Sequence, residues 1–189
     1  MKYTIKAMIY LLLTSFAISA KVHAAEVKPN MLLYISPNDY NYSVHLLHPY
    51  YNYWFEQGPL IAPIALEALK SKFGDIEQCK ANEMADTIIK IKPHIFYNPQ
   101  LQVYHSKLVA TVYSGTGNLL GSYVGEAQQQ GFSSVDVATK LNLTKAYSLA
   151  MQQLMTKLQL NHLPDSTKSG MQLPCGMIGA QDEMRINFY

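Results

Sequence analysis

Residues 102–127 read QVYHSKLVATVYSGTGNLLGSYVGEA, and this stretch decides the fold of the chain. Apolar and polar side chains alternate along 102–113, which is the period of a strand with one buried face. A glycine-rich connection at 114–118 leads into a second strand-like run at 119–127. We therefore predict a β-hairpin here. One face of its first strand carries Tyr104, Ser106, Leu108, Ala110 and Val112.

Helical spacing appears on both sides of this hairpin. Apolar residues recur at steps of three and four after Pro59, and Gly74 is a typical stop, so we predict a helix over 59–73. The same spacing returns over 135–160, where an apolar stripe faces away from most of the lysines. Each helix is therefore expected to bury one face.

Two further strands are expected outside the hairpin. A short apolar run at 31–35 predicts the first. The β-branched and aromatic run at 85–99 predicts the second, interrupted or bent at Pro93 because proline cannot donate to a strand ladder. The expected fold is α+β, with a small mixed or antiparallel sheet and two main helices packed on one face.

Residues 38–57 combine dense aromatic side chains with Asn, His and Pro and show no consistent period. We interpret them as a long loop. Aromatic rings give large contact areas at low entropic cost and are enriched at interfaces. The loop is therefore the predicted binding surface, with the alternative that its rings cover the exposed side of the sheet. The residues predicted to bind are Tyr50, Tyr51, Tyr53 and Trp54.

Residues 1–24 have the order of a secretory signal: a basic start, an apolar run of about 14 residues and small side chains before a cut between Ala24 and Ala25. An uncleaved anchor is the alternative, but the run is shorter than the ~20 residues of a spanning helix. We expect a periplasmic or secreted product without a membrane span. It would consist of one α+β domain over 25–160 and an irregular tail over 161–189.

The chain contains two cysteines, Cys79 and Cys175. An even number of cysteines in an exported chain favours a disulfide over free thiols. A Cys-x-x-Cys pair is absent, and two isolated cysteines are too few for a structural zinc site. We predict a Cys79–Cys175 disulfide that tethers the C-terminal tail and contributes about 4–5 kcal/mol of stability.

Charge and glycine spacing argue against nucleic-acid and nucleotide binding. Without the three lysines of the signal segment, 12 basic residues face 13 acidic ones, so no general attraction to nucleic acid remains. Gly115 and Gly117 lead into a predicted strand, whereas a phosphate site needs a helix N-terminus. We predict no nucleic-acid partner and no cofactor.

The histidines do not have the spacing of a metal site. A zinc ion needs three or four ligands, and no His-Glu-x-x-His pattern is present. We predict no metal and interpret these histidines as surface residues. The pairs considered are His45 with His48 and His94 with His105.

Motifs for catalysis are also missing. No Gly-x-Ser-x-Gly is present, no serine has a lysine three positions on, and a disulfide would remove the thiol that Cys–His catalysis needs. Glycoside cleavage requires two carboxylates on one groove. Asp39 and Glu56 flank the aromatic segment and Glu126 ends a strand, so these three are the candidates for such a pair. We predict no catalytic residue and no enzyme.

Over Met31 to Leu160 the element order is strand, loop, helix, strand, hairpin and helix. This order, the run Ala85-Asp-Thr-Ile-Ile-Lys-Ile and the hairpin from Leu108 to Tyr123 resemble small α/β domains of bacterial envelope assembly proteins. These include the periplasmic domain of the curli-secretion channel subunit and the lipoprotein activators of peptidoglycan synthases. The resemblance implies a mixed sheet with helices on one face. The chain differs in lacking a lipidation cysteine.

These observations predict a non-enzymatic binding or scaffolding protein of the bacterial cell envelope. Its aromatic segment would dock on an envelope protein or polysaccharide. One alternative is a hydrolase of envelope polysaccharide that uses paired carboxylates. Another is a structural subunit of an envelope assembly, for which a stable oligomer is expected.

Overall fold

The computed structural model describes residues 31–47, 52–80, 82–132, 136–158 and 171–180. Within these stretches the chain forms seven strands and four helices. The strands are β1 (Met31–Tyr34), β2 (Ser43–Leu47), β3 (Asn52–Glu56), β4 (Ile76–Gln78), β5 (Thr87–Asn98), β6 (Val103–Ser114) and β7 (Leu119–Gln130). The helices are α1 (Pro37–Tyr40), α2 (Gln57–Phe73), α3 (Asp136–Lys157) and α4 (Cys175–Ala180). The predicted signal peptide, 1–24, lies outside the described residues, so its cleavage stays a prediction.

Five strands form one mixed sheet in the order β4-β1-β5-β6-β7. β1 runs parallel to both β4 and β5, whereas β5, β6 and β7 pair antiparallel. Parallel neighbours need a long crossover, and α2 lies in the connection from β1 to β4. β2 and β3 form a separate two-stranded sheet. This architecture confirms the predicted α+β fold.

The predicted hairpin is present as β6 and β7. At its turn the Ser114 N–H donates to the Asn118 carbonyl at 2.9 Å. Gly117 adopts a φ of 87°, a conformation that is free of steric cost only for glycine. The predicted inner positions of β6 are all buried, namely Tyr104, Ser106, Leu108, Ala110 and Val112.

The helix-covered side of the five-stranded sheet, its inner face, holds the main core. Leu33, Ile89 and Leu108 of the sheet belong to one buried cluster with Leu69 of α2 and Leu154 of α3. Burial of a side chain of this size contributes about 1.5–3 kcal/mol. Both main helices therefore cover the same face, as predicted.

A buried polar pair joins the two main helices. The Tyr147 hydroxyl in α3 donates to Oε1 of Gln57, the first residue of α2, at 2.8 Å. Burial raises the pKa of the Tyr147 phenol, so this group remains a protonated donor. The Gln57 N–H donates to the carbonyl of Tyr42 at 3.3 Å, which fixes the start of α2 beside β2.

The outer strand β7 is covered along its edge by α3. The Lys157 ammonium donates to the Val124 carbonyl at 2.8 Å, and the Glu126 N–H donates to the side chain of Gln153. The backbones approach so closely that a Cβ added at Gly125 would collide with the Ala150 carbonyl. These contacts occupy backbone groups that an exposed edge strand would offer to another chain.

The opposite side of the sheet, its outer face, is covered in one half by α4. Cys79 and Cys175 form the predicted disulfide, with Cα atoms 6.1 Å apart. The Lys90 ammonium donates to the Gly179 carbonyl at 2.7 Å, near the end of α4. A second buried cluster forms under this helix from Leu32, Tyr34, Ala85, Ile88, Tyr113, Cys175 and Ile178.

Three predictions about local structure are wrong. The segment 38–57 is not a long loop, because it contains β2 and β3. The tail 161–189 is not irregular throughout, because 175–180 form α4 against the outer face. The strand is not interrupted at Pro93, because β5 continues through this residue. Pro93 lies beyond the part of β5 that pairs with β1, so β6 is its only ladder partner among the described strands. The N–H that proline lacks is therefore not needed for a second ladder.

None of the helices in the described stretches combines the length and the apolar character that crossing a membrane requires.

Candidate functional site

The hairpin formed by β2 and β3 has two different faces. Leu46 and Phe55 are buried in the main core. His45 and Trp54 are directly opposite each other in the register and lie on the other face, because side chains alternate along a strand. The Trp54 indole N–H donates to Oδ1 of Asn52 at 2.9 Å, which restricts the indole on the surface.

A groove of about 1050 Å³ lies where this hairpin meets the five-stranded sheet. β2 packs against β5 at this place. We call it the aromatic groove. The lining residues that carry its character are His45, Trp54, His94, Phe96, His105, Lys107 and Glu126.

Two stacked pairs of rings line the aromatic groove. His45 stacks on Trp54 with ring centroids 4.4 Å apart and an interplanar angle of 12°. His105 stacks on Phe96 at 4.4 Å and 4°. Trp54 is 56% exposed and Phe96 is 59% exposed. Each pair therefore presents a flat ring to solvent while its imidazole restrains the ring orientation.

One ion pair lies in the groove between β6 and β7. The Lys107 ammonium is 2.9 Å from Oε1 of Glu126, and the two residues are directly opposite in the register. The hydrogen bond and charge of Lys107 lower the pKa of the Glu126 carboxyl. Glu126 is therefore ionised near neutral pH and its charge is balanced by its partner.

His94 lies on the same side of β5 as Phe96, opposite Lys107 of β6. Its pKa is lowered, first by burial and then by the charge of Lys92, and Lys107 acts in the same direction. The Asp39 carboxylate opposes this shift. The neutral imidazole is thus favoured at His94 relative to a solvated histidine.

The four predicted binding residues have different fates. Trp54 lines the aromatic groove. Tyr53 is half-buried against the main core, and its pKa is raised by burial and then by the Asp136 carboxylate. Tyr50 and Tyr51 lie outside the described residues, so their part stays a prediction.

Sequence analysis assigned no binding role to three of the ring-bearing residues of the groove. His94, Phe96 and His105 come from two strands and meet only because β5 and β6 pair in register. One signal for this surface lies in β5. Lys92, His94 and Phe96 are exposed and alternate with the buried residues Pro93 and Ile95. This signal is weak, because a single aromatic ring on the solvent side of a strand is normal and does not by itself identify a functional surface.

Of the three candidate carboxylates, only Glu126 is among the described residues that line the aromatic groove. Asp39 lies in the first turn of α1, whose N-cap is Ser36: the Ser36 hydroxyl accepts from the Asp39 N–H at 3.1 Å and donates to the Asp39 carboxylate at 3.0 Å. Glu56 is exposed at the end of β3. Only one of the three candidate carboxylates therefore lines the groove, whereas glycoside cleavage of the usual kind uses two.

The described part of the chain contains no group of three His, Cys, Asp or Glu side chains arranged to hold a metal ion. His45 contributes to the aromatic groove, and His48 lies outside the described residues. His105 is stacked on Phe96, and this pair lies two positions along the ladder from the His94–Lys107 pair. What this groove offers chemically is stacking surface, imidazole nitrogens and one balanced ion pair.

No protein-family model and no curated protein matches the chain. Among solved structures it is similar to a Xanthomonas campestris protein of the DUF330 family, with 13% identity, a TM-score of 0.46, and coverage of 69% of this chain and 86% of that one. It is also similar to a proposed lipoprotein from Caulobacter crescentus, with 13% identity, a TM-score of 0.33, and coverage of 55% and 78%. Neither is a curli-secretion subunit or a synthase activator, so that resemblance stays a prediction.

Proposed function

We propose that the protein is a non-enzymatic binding protein of the bacterial cell envelope, periplasmic or secreted, that holds a polysaccharide chain in its aromatic groove. The observation that carries the proposal is the presence of two exposed rings, Trp54 and Phe96, each backed by a stacked imidazole and both lining one groove.

Two exposed rings in a concave surface differ from scattered apolar side chains. Single exposed apolar residues are normal, whereas ligand sites combine apolar walls with a few polar groups. Here the walls are Trp54 and Phe96, and the polar groups include Lys107, Glu126 and Gln128. The stacking on imidazoles holds the rings before the ligand arrives, which lowers the entropic cost of binding.

A sugar chain suits this arrangement because a pyranose ring has an apolar face of C–H groups and a rim of hydroxyls. The flat rings accept the apolar face, while the ion pair and amide side chains can bond the rim. A protein partner could use the same rings, since aromatic residues are enriched at interfaces. The polysaccharide is favoured because the groove alternates flat rings with hydrogen-bonding groups rather than presenting a continuous apolar patch.

The arrangement of charge supports binding without catalysis. A glycosidase of the usual kind needs one protonated and one ionised carboxylate across the scissile bond. Glu126 is paired with Lys107, and its lowered pKa makes it a poor proton donor. Neither Asp39 nor Glu56 is among the described residues of the groove to serve as its partner.

The test is retention of the purified protein on immobilised envelope polysaccharides, with peptidoglycan sacculi and extracted capsular polysaccharide as probes. We expect Trp54→Ala and Phe96→Ala each to weaken retention about tenfold or more, as loss of a central aromatic anchor does. Phe132→Ala is the matched control, because Phe132 is 50% exposed and is not among the groove-lining residues. Its retention should equal that of the wild type.

Three results would overturn the proposal. Equal retention of the wild type and the Trp54→Ala/Phe96→Ala double variant would remove the groove from the binding, and retention of an envelope protein in place of any polysaccharide would replace the partner class. Release of soluble sugar by the wild type, but not by Glu126→Gln, would show an enzyme instead.

A further inference from the structure

Histidine is the most frequent ionisable residue type among the described residues of the aromatic groove. Among the described residues that line it, three carry imidazoles (His45, His94 and His105), one carries an ammonium and one carries a carboxylate. The ammonium of Lys107 and the carboxylate of Glu126 neutralise each other at 2.9 Å. Any change in the net charge of the lining near neutral pH must therefore come from the imidazoles.

We propose that the aromatic groove selects polysaccharides that carry carboxylates, such as uronic acid polymers, and binds them more tightly as the medium becomes acidic, because three imidazole side chains line it and imidazole is the side-chain type that gains positive charge in that range. This inference rests on the proposed function, and it adds the chemical class of the sugar and the condition that controls its capture.

The charged groups around the imidazoles do not change the expected increase in affinity at lower pH. His94 faces Lys107 across the ladder, with Lys92 on its own strand and Asp39 of α1 as the nearby carboxylate. Asp39 is engaged by the Ser36 hydroxyl. Because Lys92 adds a positive charge and Asp39 a negative one, they cancel approximately, and protonation of His94 still makes the groove more positive.

The other two imidazoles have fewer charged neighbours in the ladder. His105 pairs with Phe96 and Gln128, both neutral, and Lys107 is two positions along the same face. His45 pairs with Trp54, and Glu56 is two positions farther along the same face of β3. Glu56 is exposed and is not among the lining residues, so it competes weakly with a bound anion.

Stacking keeps these imidazoles in place when they are protonated. An imidazolium over an aromatic ring is attracted by the negative face of the ring, so the pairs His45–Trp54 and His105–Phe96 persist in the charged state. Each pair then places a flat apolar ring beside a cationic N–H donor. A uronic acid presents the matching combination, an apolar ring face with a carboxylate at its edge.

Thermodynamic linkage gives the proposal a specific signature. An anion bound beside an imidazole favours its protonated form, so binding near pH 6 must take up protons from the medium. A neutral polysaccharide in the same groove does not have this requirement. Proton uptake on binding therefore distinguishes capture through charge from capture through stacking alone.

The experiment is titration calorimetry of the intact protein with oligogalacturonate, neutral dextran oligosaccharides and dextran sulfate, at pH 7.5 and pH 5.0 and constant ionic strength. Oligogalacturonate is expected to bind roughly tenfold more tightly at pH 5.0, the scale of three added charge contacts at an exposed site. At pH 6, repeated titrations in buffers of different ionisation enthalpy should show proton uptake with oligogalacturonate and none with dextran.

His94→Gln is the sharpest variant, because His94 belongs to neither stacked pair and its replacement leaves both rings in place. It should reduce the proton uptake and the pH dependence of oligogalacturonate binding. The double variant His45→Gln/His105→Gln should remove most of the remaining pH dependence. Circular dichroism checks that each variant is folded.

The outcomes separate the two proposals. Binding of dextran that is lost in Trp54→Ala, without preference for oligogalacturonate, would overturn the charge selection and leave the proposed function standing. Equal binding of dextran sulfate and oligogalacturonate would overturn the assignment to carboxylates. Absence of binding to every sugar would overturn both, and a pH dependence unchanged in both histidine variants would overturn the role of the imidazoles.

Discussion

The two faces of the five-stranded sheet are covered in different ways. Along β5 the inner positions Ile89, Ile91 and Ile95 are buried without interruption beneath the main helices. On the outer face the character changes along the same strand: Ile88 is buried under α4, whereas Phe96 is exposed in the aromatic groove. The change occurs just past Lys90, where its bond to Gly179 marks the end of the tail helix.

The two kinds of cover determine which part of the sheet is left accessible to a ligand. The inner face is covered by α2 and α3, which follow the strands β3 and β7 along the chain. These helices therefore pack on the sheet as part of the folding of the domain. The outer face is covered only as far as a six-residue helix reaches, and that helix is attached through a disulfide. The aromatic groove begins where this cover ends.

Removal of the disulfide should have the largest effect on the difference between the two faces. In Cys79→Ala/Cys175→Ala we expect the free energy of unfolding to fall by about 4–5 kcal/mol, because the bond closes a loop with a sequence separation of 96. Denaturant unfolding measures the loss. Hydrogen exchange should show α4 losing protection first, while α2 and α3 stay protected until global unfolding.

Reduced wild-type protein is the control, since it loses the same bond and keeps both side chains. If α4 keeps its protection in both proteins, the outer face is held by the apolar cluster and the Lys90 contact rather than by the disulfide. The inner and outer faces would then be equally intrinsic to the fold.

The parts of the fold that follow from local pattern could be predicted from the sequence. The β6–β7 hairpin could be predicted because the two faces of β6 alternate regularly from Val103 to Val112 and a glycine-rich turn follows. α2 was found because Gly74 ends it, with a φ of 85°. The disulfide needed only the number of cysteines and the inferred compartment. In each case one short window or one count carried the signal.

The β2–β3 hairpin could not be found in this way. Each strand has five residues, and the few residues between them include Pro49 and two tyrosines that hide the alternation. Their strand conformation depends on Leu46 and Phe55 entering a core built from distant elements. The aromatic groove was missed for the same reason, since Trp54 and Phe96 meet only through tertiary packing.

A smaller effect tests how tightly the inner face is built. Gly125→Ala should lower the free energy of unfolding by about 1–3 kcal/mol, because the added methyl group would collide with the Ala150 carbonyl and with Leu154 and force α3 away from β7. Chemical denaturation measures the change. Ser122→Ala, at an exposed position of the same strand, is the matched control and should change stability by less than about 0.5 kcal/mol.

Equal stability of Gly125→Ala and Ser122→Ala would show that α3 can move away from β7 without cost. The close approach of the two backbones would then not be a requirement of the inner face, and the difference in packing between the faces would be smaller than the structure indicates.

The smallest effect belongs to the uncovered half of the outer face. Burial, followed by Lys92, lowers the pKa of His94 in the folded protein, so the unfolded chain binds the proton at a higher pH than the folded chain does. The free energy of unfolding must therefore fall as the pH is lowered through the ordinary histidine range near ~6.5, and level off below the folded pKa. His94→Gln should flatten this part of the profile, as measured by urea unfolding between pH 5 and 8.

Lys92→Gln sharpens the same prediction, because it removes a positive neighbour and keeps the imidazole. Its His94 should titrate at a higher pH than the wild-type residue when followed by NMR, and its stability should depend less on pH. A His94 that titrates at or above the ordinary histidine value in the wild type would reverse the sign of the effect. The uncovered half of the outer face would then favour a cation at this position, whereas burial and the charge of Lys92 disfavour it in this structure.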